Sequence, residues 1–338
     1  MLPALGVLFV AVFLLSIGRG SVAIPVDQVV AILLGGEGDR ASWSVIVMDV
    51  RIPRAITAAL SGAALGVAGL QMQTLLRNPL ADPFVLGISS GASLGVAVVV
   101  LGTGSTVGAV FGAGLGLTGD LAITAAAIIG ALLVLIPVLA ISARVRNPAT
   151  VLVVGLMLGY GIQGFVSILS AGTSPELLQR WMFWSFGSFT GVTANKLPIF
   201  APLIVLGIAV AFLTVRQLNV LLLSENYARS MGLNAGRMRI ATLGGAAVLA
   251  GTVTAFCGPI AFLGVAIPHI ARGVLGTSDH RLLVPGVVLI GAILAIAAQM
   301  IALLAGDGVL PLNAVTALIG APVVVAVLLR SRRGAFVS

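Results

Sequence analysis

Residues 55–76 carry no charged side chain. At 1.5 Å per residue a helix of that length reaches about 33 Å, enough to cross the roughly 30 Å hydrocarbon layer of a bilayer. Comparable apolar runs fall at residues 2–17, 51–76, 84–101, 121–141, 151–169, 197–215, 240–256, 262–275, 282–304 and 315–329. They predict ten transmembrane helices, the eighth short and broken by Pro268. Charged residues make up 8% of the chain, against about a quarter in soluble domains. No polar stretch between the runs is long enough to fold by itself. Residues 1–338 are therefore expected to form one all-α polytopic membrane unit. The first run has no Lys or Arg ahead of it, so it reads as a retained span rather than a cleaved leader.

The net charge of +8 does not point to nucleic acid, because the basic residues are scattered among loops. They act as topology signals. With the N-terminus in the cytoplasm, Arg77, Arg144, Arg146, Arg216, Arg229, Arg237, Arg239, Arg272, Arg281, Arg330, Arg332 and Arg333 fall inside. Arg19, Arg40, Arg51, Arg54, Arg180 and Lys196 fall outside. Both chain ends are thus expected in the cytoplasm. The segment SPELLQRWMFWSFGSFTG, residues 174–191, reads as an interfacial piece with Trp181 and Trp184 at the headgroups.

Gly62, Gly66 and Gly69 share a helical face, as do Gly155 and Gly159, which allows close helix approach. Pro79 and Pro83 in RNPLADP force a turn between the second and third spans. The runs DPFVLGI (82–88) and GPIAFLGV (258–265) echo one another from opposite sides of the membrane, as inverted repeats do. One cysteine, Cys257, and two histidines, His269 and His280, are too few for a histidine/cysteine metal site, and His269 reads as a buried, hydrogen-bonded residue. By these spans the acids lie at or beyond helix ends, which disfavours a proton- or sodium-coupled carrier needing a buried carboxylate. No hydrolase constellation or Walker motif is present in the sequence. Gln163 and Ser167 on the fifth span are candidates for either packing or a transport path.

The stretch RIPRAITAALSGAALGVAGLQMQTLLRNPLADPFVLGISSGASLG (51–95) resembles the signature of the FecCD-type permeases. These are the membrane subunits of bacterial ABC importers for iron–siderophore complexes, haem and cobalamin. GPIAFLGVAIPHIAR (258–272) and LPLNAVTALIGAPVVV (310–325) continue the resemblance in the same order. It implies a type II importer fold in the bacterial inner membrane. The partners would be a second permease copy, two cytoplasmic ATPase subunits that hold ATP and magnesium, and an external binding protein. No cofactor is expected on this chain, which would not itself be an enzyme. The resemblance assigns Arg51 and Arg54 to docking of the binding protein. A third outer arginine found in some relatives has no counterpart here; Leu303, Asp307 and Val309 occupy that neighbourhood. Glu225, Ala228, Arg229 and Gly232 match an E-x-x-A-x-x-x-G loop that couples to the ATPase, and Asn78, Leu80 and Asn147 match the region of the cytoplasmic gate. The expected cargo is a ferric siderophore, with cobalamin or haem as alternatives. An ion-coupled secondary carrier is the rival class.

Overall fold

A computed structural model of the chain describes residues 1–20, 22, 24–36, 39–102, 120–145, 148–223, 234–303 and 310–335. Its helices are α1 (Leu2–Gly18), α2 (Val26–Leu33), α3 (Ala41–Val45), α4 (Ile52–Leu76), α5 (Ile88–Leu101), α6 (Asp120–Arg144), α7 (Pro148–Ala171), α8 (Pro175–Ser185), α9 (Leu197–Leu213), α10 (Val215–Leu223), α11 (Ala235–Cys257), α12 (Leu263–Leu275), α13 (His280–Ala302) and α14 (Leu312–Ala335). Each of the ten apolar runs coincides with one of them. Five stretches, Ala41–Leu76 and those of α6, α7, α11 and α13, are long and apolar enough to cross a membrane unaided. A sixth is α9 with α10, bent by 54° at Thr214. The other four expected spans are the shorter apolar helices α1, α5, α12 and α14.

The stretch containing α4 differs from expectation at its start. Helix begins at Ala41 rather than Arg51, joined to α4 through a π-helical turn at Ile46–Arg51. Pro53 explains the widened turn. Its nitrogen cannot donate, and its ring would press on the carbonyl four residues back; one extra residue in the preceding turn relieves both.

α4 sits at the centre, with nearly all of its side chains from Pro53 to Leu75 buried. Its glycine face explains how. A Cβ on Gly62 would stand 2.0 Å from the Gly291 carbonyl of α13, and one on Gly69 only 1.8 Å from the Gly264 carbonyl of α12. Gly66 meets the side chains of Ile267 and Val287. Backbone therefore packs on backbone, the arrangement that holds helices together where lipid removes the hydrophobic drive. α5 and α6 repeat the device through Gly91, Gly95 and Gly130.

α5 and α12 are short because each is preceded by a non-helical stretch. A 3₁₀ turn, Pro83–Leu86, and Gly87 at φ 77° lead into α5. Gly258 at φ 74° and Phe262 at φ 68° lead into α12. These two stretches meet: a Cβ on Gly264 would lie 3.0 Å from Pro83 and 3.2 Å from the Asp82 carboxylate, against the Leu65 carbonyl at mid-height of α4. The echoed segments are thus two broken helices whose starts touch in the interior. Asp82 consequently stands at a helix start that lies within the bundle, not at the margin of the membrane as the apolar runs imply. Its carboxylate accepts the Phe84 N–H at 2.8 Å and caps the 3₁₀ turn. Trp181 and Trp184 on α8 are half-buried against the core.

Candidate functional site

The helix ends fall into two groups, one at each end of the bundle. At the first, Arg51 is only 6% exposed. Its guanidinium donates to the carbonyls of Ile17 at 2.6 Å, Gly18 at 3.0 Å and Val22. The last carbonyls of α1 have no partner within their own helix, and the arginine fork satisfies them. Arg54, one turn further, has its Nε buried without a partner. Ser16, Arg19, Arg51, Arg54, Gln299 and Leu303 line one small pocket. The Gln299 Oε1, also buried and without a partner, faces the same neighbourhood.

On the same end Asn313, at the start of α14, acts as a three-way tie. Its Oδ1 accepts the Ala261 N–H at 2.9 Å, its Nδ2 donates to the Ser185 carbonyl at 3.1 Å, and its backbone N–H donates to Phe186. It binds the stretch leading into α12 to the end of α8. Nearby, Ser188 donates to the Cys257 carbonyl at 2.7 Å, and Lys196 pairs with Asp120 at 3.3 Å. Glu176, in the first turn of α8, is held below the usual carboxylate range by its own backbone N–H and by the Ser174 hydroxyl.

At the opposite end the chain turns from α4 towards α5. Arg77 adopts a left-handed conformation, φ 48°, and ends the helix. The Asn78 Oδ1 accepts the Leu80 N–H at 3.0 Å, and the Asn78 carbonyl accepts Ala81. This is a side-chain-closed turn of the kind Asn favours. Beside it, His280 is 1% exposed at the start of α13. Its Nδ1 lies 2.7 Å from the Asn219 Oδ1, and its Nε2 lies 2.9 Å from the Thr74 hydroxyl. The Asn219 amide donates to Asp279 at 2.6 Å while its oxygen also accepts the His280 backbone N–H. Asp279 is held below the usual carboxylate range by the N–H of Arg281 and the amide of Asn219. One residue earlier on α4, Gln73 accepts from Arg272 at 2.9 Å and donates to the Val265 carbonyl at 3.3 Å.

Of the residues singled out from the sequence, Arg51 and Arg54 share one end, and Asn78 and Leu80 share the other. Asn147, Glu225, Ala228, Arg229 and Gly232 lie outside the described residues. His269 is half-buried, its Nδ1 2.9 Å from the Val265 carbonyl. Among the described residues no cluster of three or more His, Cys, Asp or Glu could hold a metal. The sequence reading missed Asn219, Asp279, His280 and Asn313, single polar residues at the margins of apolar runs whose partners lie far away in the chain.

α7 stands apart. Only 17% of its apolar window is buried, against 89% for the stretch containing α4. Met157, Tyr160, Phe165 and Ile168 are exposed, and so are Gln163 and Ser167. Ser167 satisfies itself on the Gln163 carbonyl at 2.9 Å.

Residues 8–330 match the model of the FecCD transport family. The chain is 33% identical to YvrB, an ABC transporter permease protein of Bacillus subtilis (strain 168), over 98% of its own length and 94% of the relative. It is 34% identical to BtuC of Citrobacter koseri, a vitamin B12 import system permease protein, over the same shares of both chains. Among solved structures, an inward-facing conformation of a metal-chelate type ABC transporter superimposes with a TM-score of 0.83 at 25% identity, covering 97% of this chain and 98% of that one. PsaBC of Streptococcus pneumoniae shares the fold at 16% identity with a TM-score of 0.51. Family match, full-length relatives and fold agree: the chain belongs to the FecCD transport family and is a multi-pass permease subunit of an ABC importer.

Proposed function

We propose that the chain carries a bulky metal chelate across the bacterial inner membrane, with a ferric siderophore as first cargo. The observation that carries this reading is the superposition on a metal-chelate transporter over nearly the whole chain. Cobalamin is the second reading, favoured by the similarity to a vitamin B12 permease protein over 98% of the chain.

In this reading the permease works as a pair of copies with the path between them. α7, the least covered long span, supplies Gln163 and Ser167 to that path or to the contact between copies. The chain ends and the Asn78–Leu80 turn face the cytoplasm, in keeping with twelve basic residues on that side against six on the other. Glu225, Ala228, Arg229 and Gly232 couple the chain to two ATPase subunits, and Asn78, Leu80 and Asn147 belong to the inner gate. The external binding protein docks at the opposite end. There Arg54 presents its guanidinium while Arg51, occupied by the α1 carbonyls, holds the platform in place. Asp82 has a capping role, which leaves the ion-coupled carrier the weaker alternative.

The test is uptake by proteoliposomes holding the chain with its ATPase and binding protein, offered ferric siderophores, cobalamin or haem. ATP-dependent accumulation of one chelate names the cargo. Transport by the chain alone on an ion gradient overturns the importer reading.

A further inference from the structure

We propose that Asn219, His280 and Thr74 form a mechanical relay between α10 and the inner end of α4. α10 is the last helix before residues 224–233, so the relay rests on the reading that this segment meets the ATPase. The three side chains join three helices in series. The Asn219 Oδ1 on α10 receives the ring and the backbone N–H of His280 on α13, at 2.7 and 2.9 Å. The far ring nitrogen reaches the Thr74 hydroxyl on α4, at 2.9 Å.

The donors and acceptors fix the direction of each link. A carbonyl oxygen can only accept, so the proton sits on Nδ1, and the unprotonated Nε2 takes the hydroxyl proton of Thr74. That hydroxyl also lies 2.8 Å from the Leu70 carbonyl and has one proton to give. It has two arrangements: bonded to the histidine, or folded back on its own helix. A link with two discrete states can signal rather than merely hold. Burial makes the link stiff, because a ring nitrogen left without a partner at 1% exposure is costly.

The output is on the same turn of α4. Gln73, next to Thr74, is tied to Arg272 and Val265 of the broken helix α12. Asn78 and Leu80 follow directly, and Arg77 touches the Leu221 carbonyl of α10 at 3.4 Å. A shift of α10 thus pulls the turn after α4 and the start of α12 together. Thr74, His280 and Asn219 are positioning residues here; none touches the cargo.

The experiment uses the complete transporter, permease with ATPase and binding protein in proteoliposomes, and compares Thr74→Val, Thr74→Ser, Asn219→Leu and the Thr74→Val/Asn219→Leu pair. Chelate taken up per ATP hydrolysed should fall about tenfold in Thr74→Val and in Asn219→Leu, within the usual range of coupling between sites. Hydrolysis should stay within about twofold. Thr74→Ser should keep the wild-type ratio, and the pair should be no worse than either single variant. Hydrogen exchange on the permease–ATPase complex gives a readout free of transport: ATP should change protection of residues 71–82 in the wild type and not in Asn219→Leu. An unchanged ratio, losses that multiply in the pair, uptake and hydrolysis falling in proportion, or an ATP response that survives Asn219→Leu each overturns the relay. Failure of the wild-type permease and ATPase to form a complex refutes instead the importer reading on which it rests.

Discussion

Gly69→Ala tests whether α4 and α12 are held by backbone contact. The new methyl carbon would lie 1.8 Å from the Gly264 carbonyl oxygen and 2.5 Å from its carbon. Ordinary contact begins near 3.4 Å, so α12 must retreat by about 1.6 Å or α4 must rotate. No rotamer change relieves the clash, because the obstructing atoms are backbone. Pro83 and Asp82 also stand close to Gly264, which restricts how α12 can move. Overpacking of this sort costs about 1–3 kcal/mol when side chains can give way. With main-chain atoms as the obstruction the upper end is expected, roughly a hundredfold in the ratio of folded to unfolded protein. Denaturation of the purified chain in mixed micelles measures it, with Gly161→Ala on α7 as control because nothing lies within 4 Å of that position. If Gly69→Ala unfolds at the same denaturant as the control, the close-contact account of the core is wrong.

Arg51→Ala removes the guanidinium donors from the Ile17 and Val22 carbonyls and leaves Gly18 only the Ile24 N–H; it should destabilise the chain by about 1–3 kcal/mol, read as a lower melting temperature in detergent. Arg51→Lys should recover only part of the loss, since an ammonium lacks the planar fork that meets three carbonyls. Asn313→Ala removes two side-chain hydrogen bonds between α14, α8 and the stretch leading into α12; proteolysis around residues 185–190 and 258–262 should accelerate several-fold. Asp279 is depressed below its ordinary pKa, so its contribution is complete above the unfolded value near 4 and fades as pH falls through the lower folded value. Thermal melts from pH 6 down to pH 2 should therefore show a loss that Asp279→Asn reduces; an identical acid profile in that variant would contradict the assignment.

The apolar helices, among them the five or six long enough to span a membrane, were legible because exclusion of charge from hydrocarbon leaves a mark over some twenty consecutive residues. The glycine face of α4 was legible for a similar reason, as periodicity names a face even before its partner is known. What escaped detection depends on one residue at a time. The early start of helix at Ala41 turns on a single widened turn that accommodates Pro53. The inward course of Asp82 is hidden because DPFVLGI is as apolar after its first residue as the helix that follows. Asn219, His280 and Thr74 meet across 61 and 206 positions of chain, and no local pattern links them. The docking and coupling residues were named through family resemblance, since arginines and glutamates in loops have no periodicity to betray their task.

The contrast between α4 and α7 bears on how this chain can change over time. Gly62 and Gly291 each block a side chain on the other, and the obstruction is main chain in both directions. No compensating substitution exists for such a pair, so the centre of the bundle is closed to gradual remodelling. α7 has the opposite character, with Gly161 and Gly164 facing open space. New side chains have room on α7, whether they come by selection or by engineering, while the glycine face of α4 leaves room for none and serves as a fixed axle.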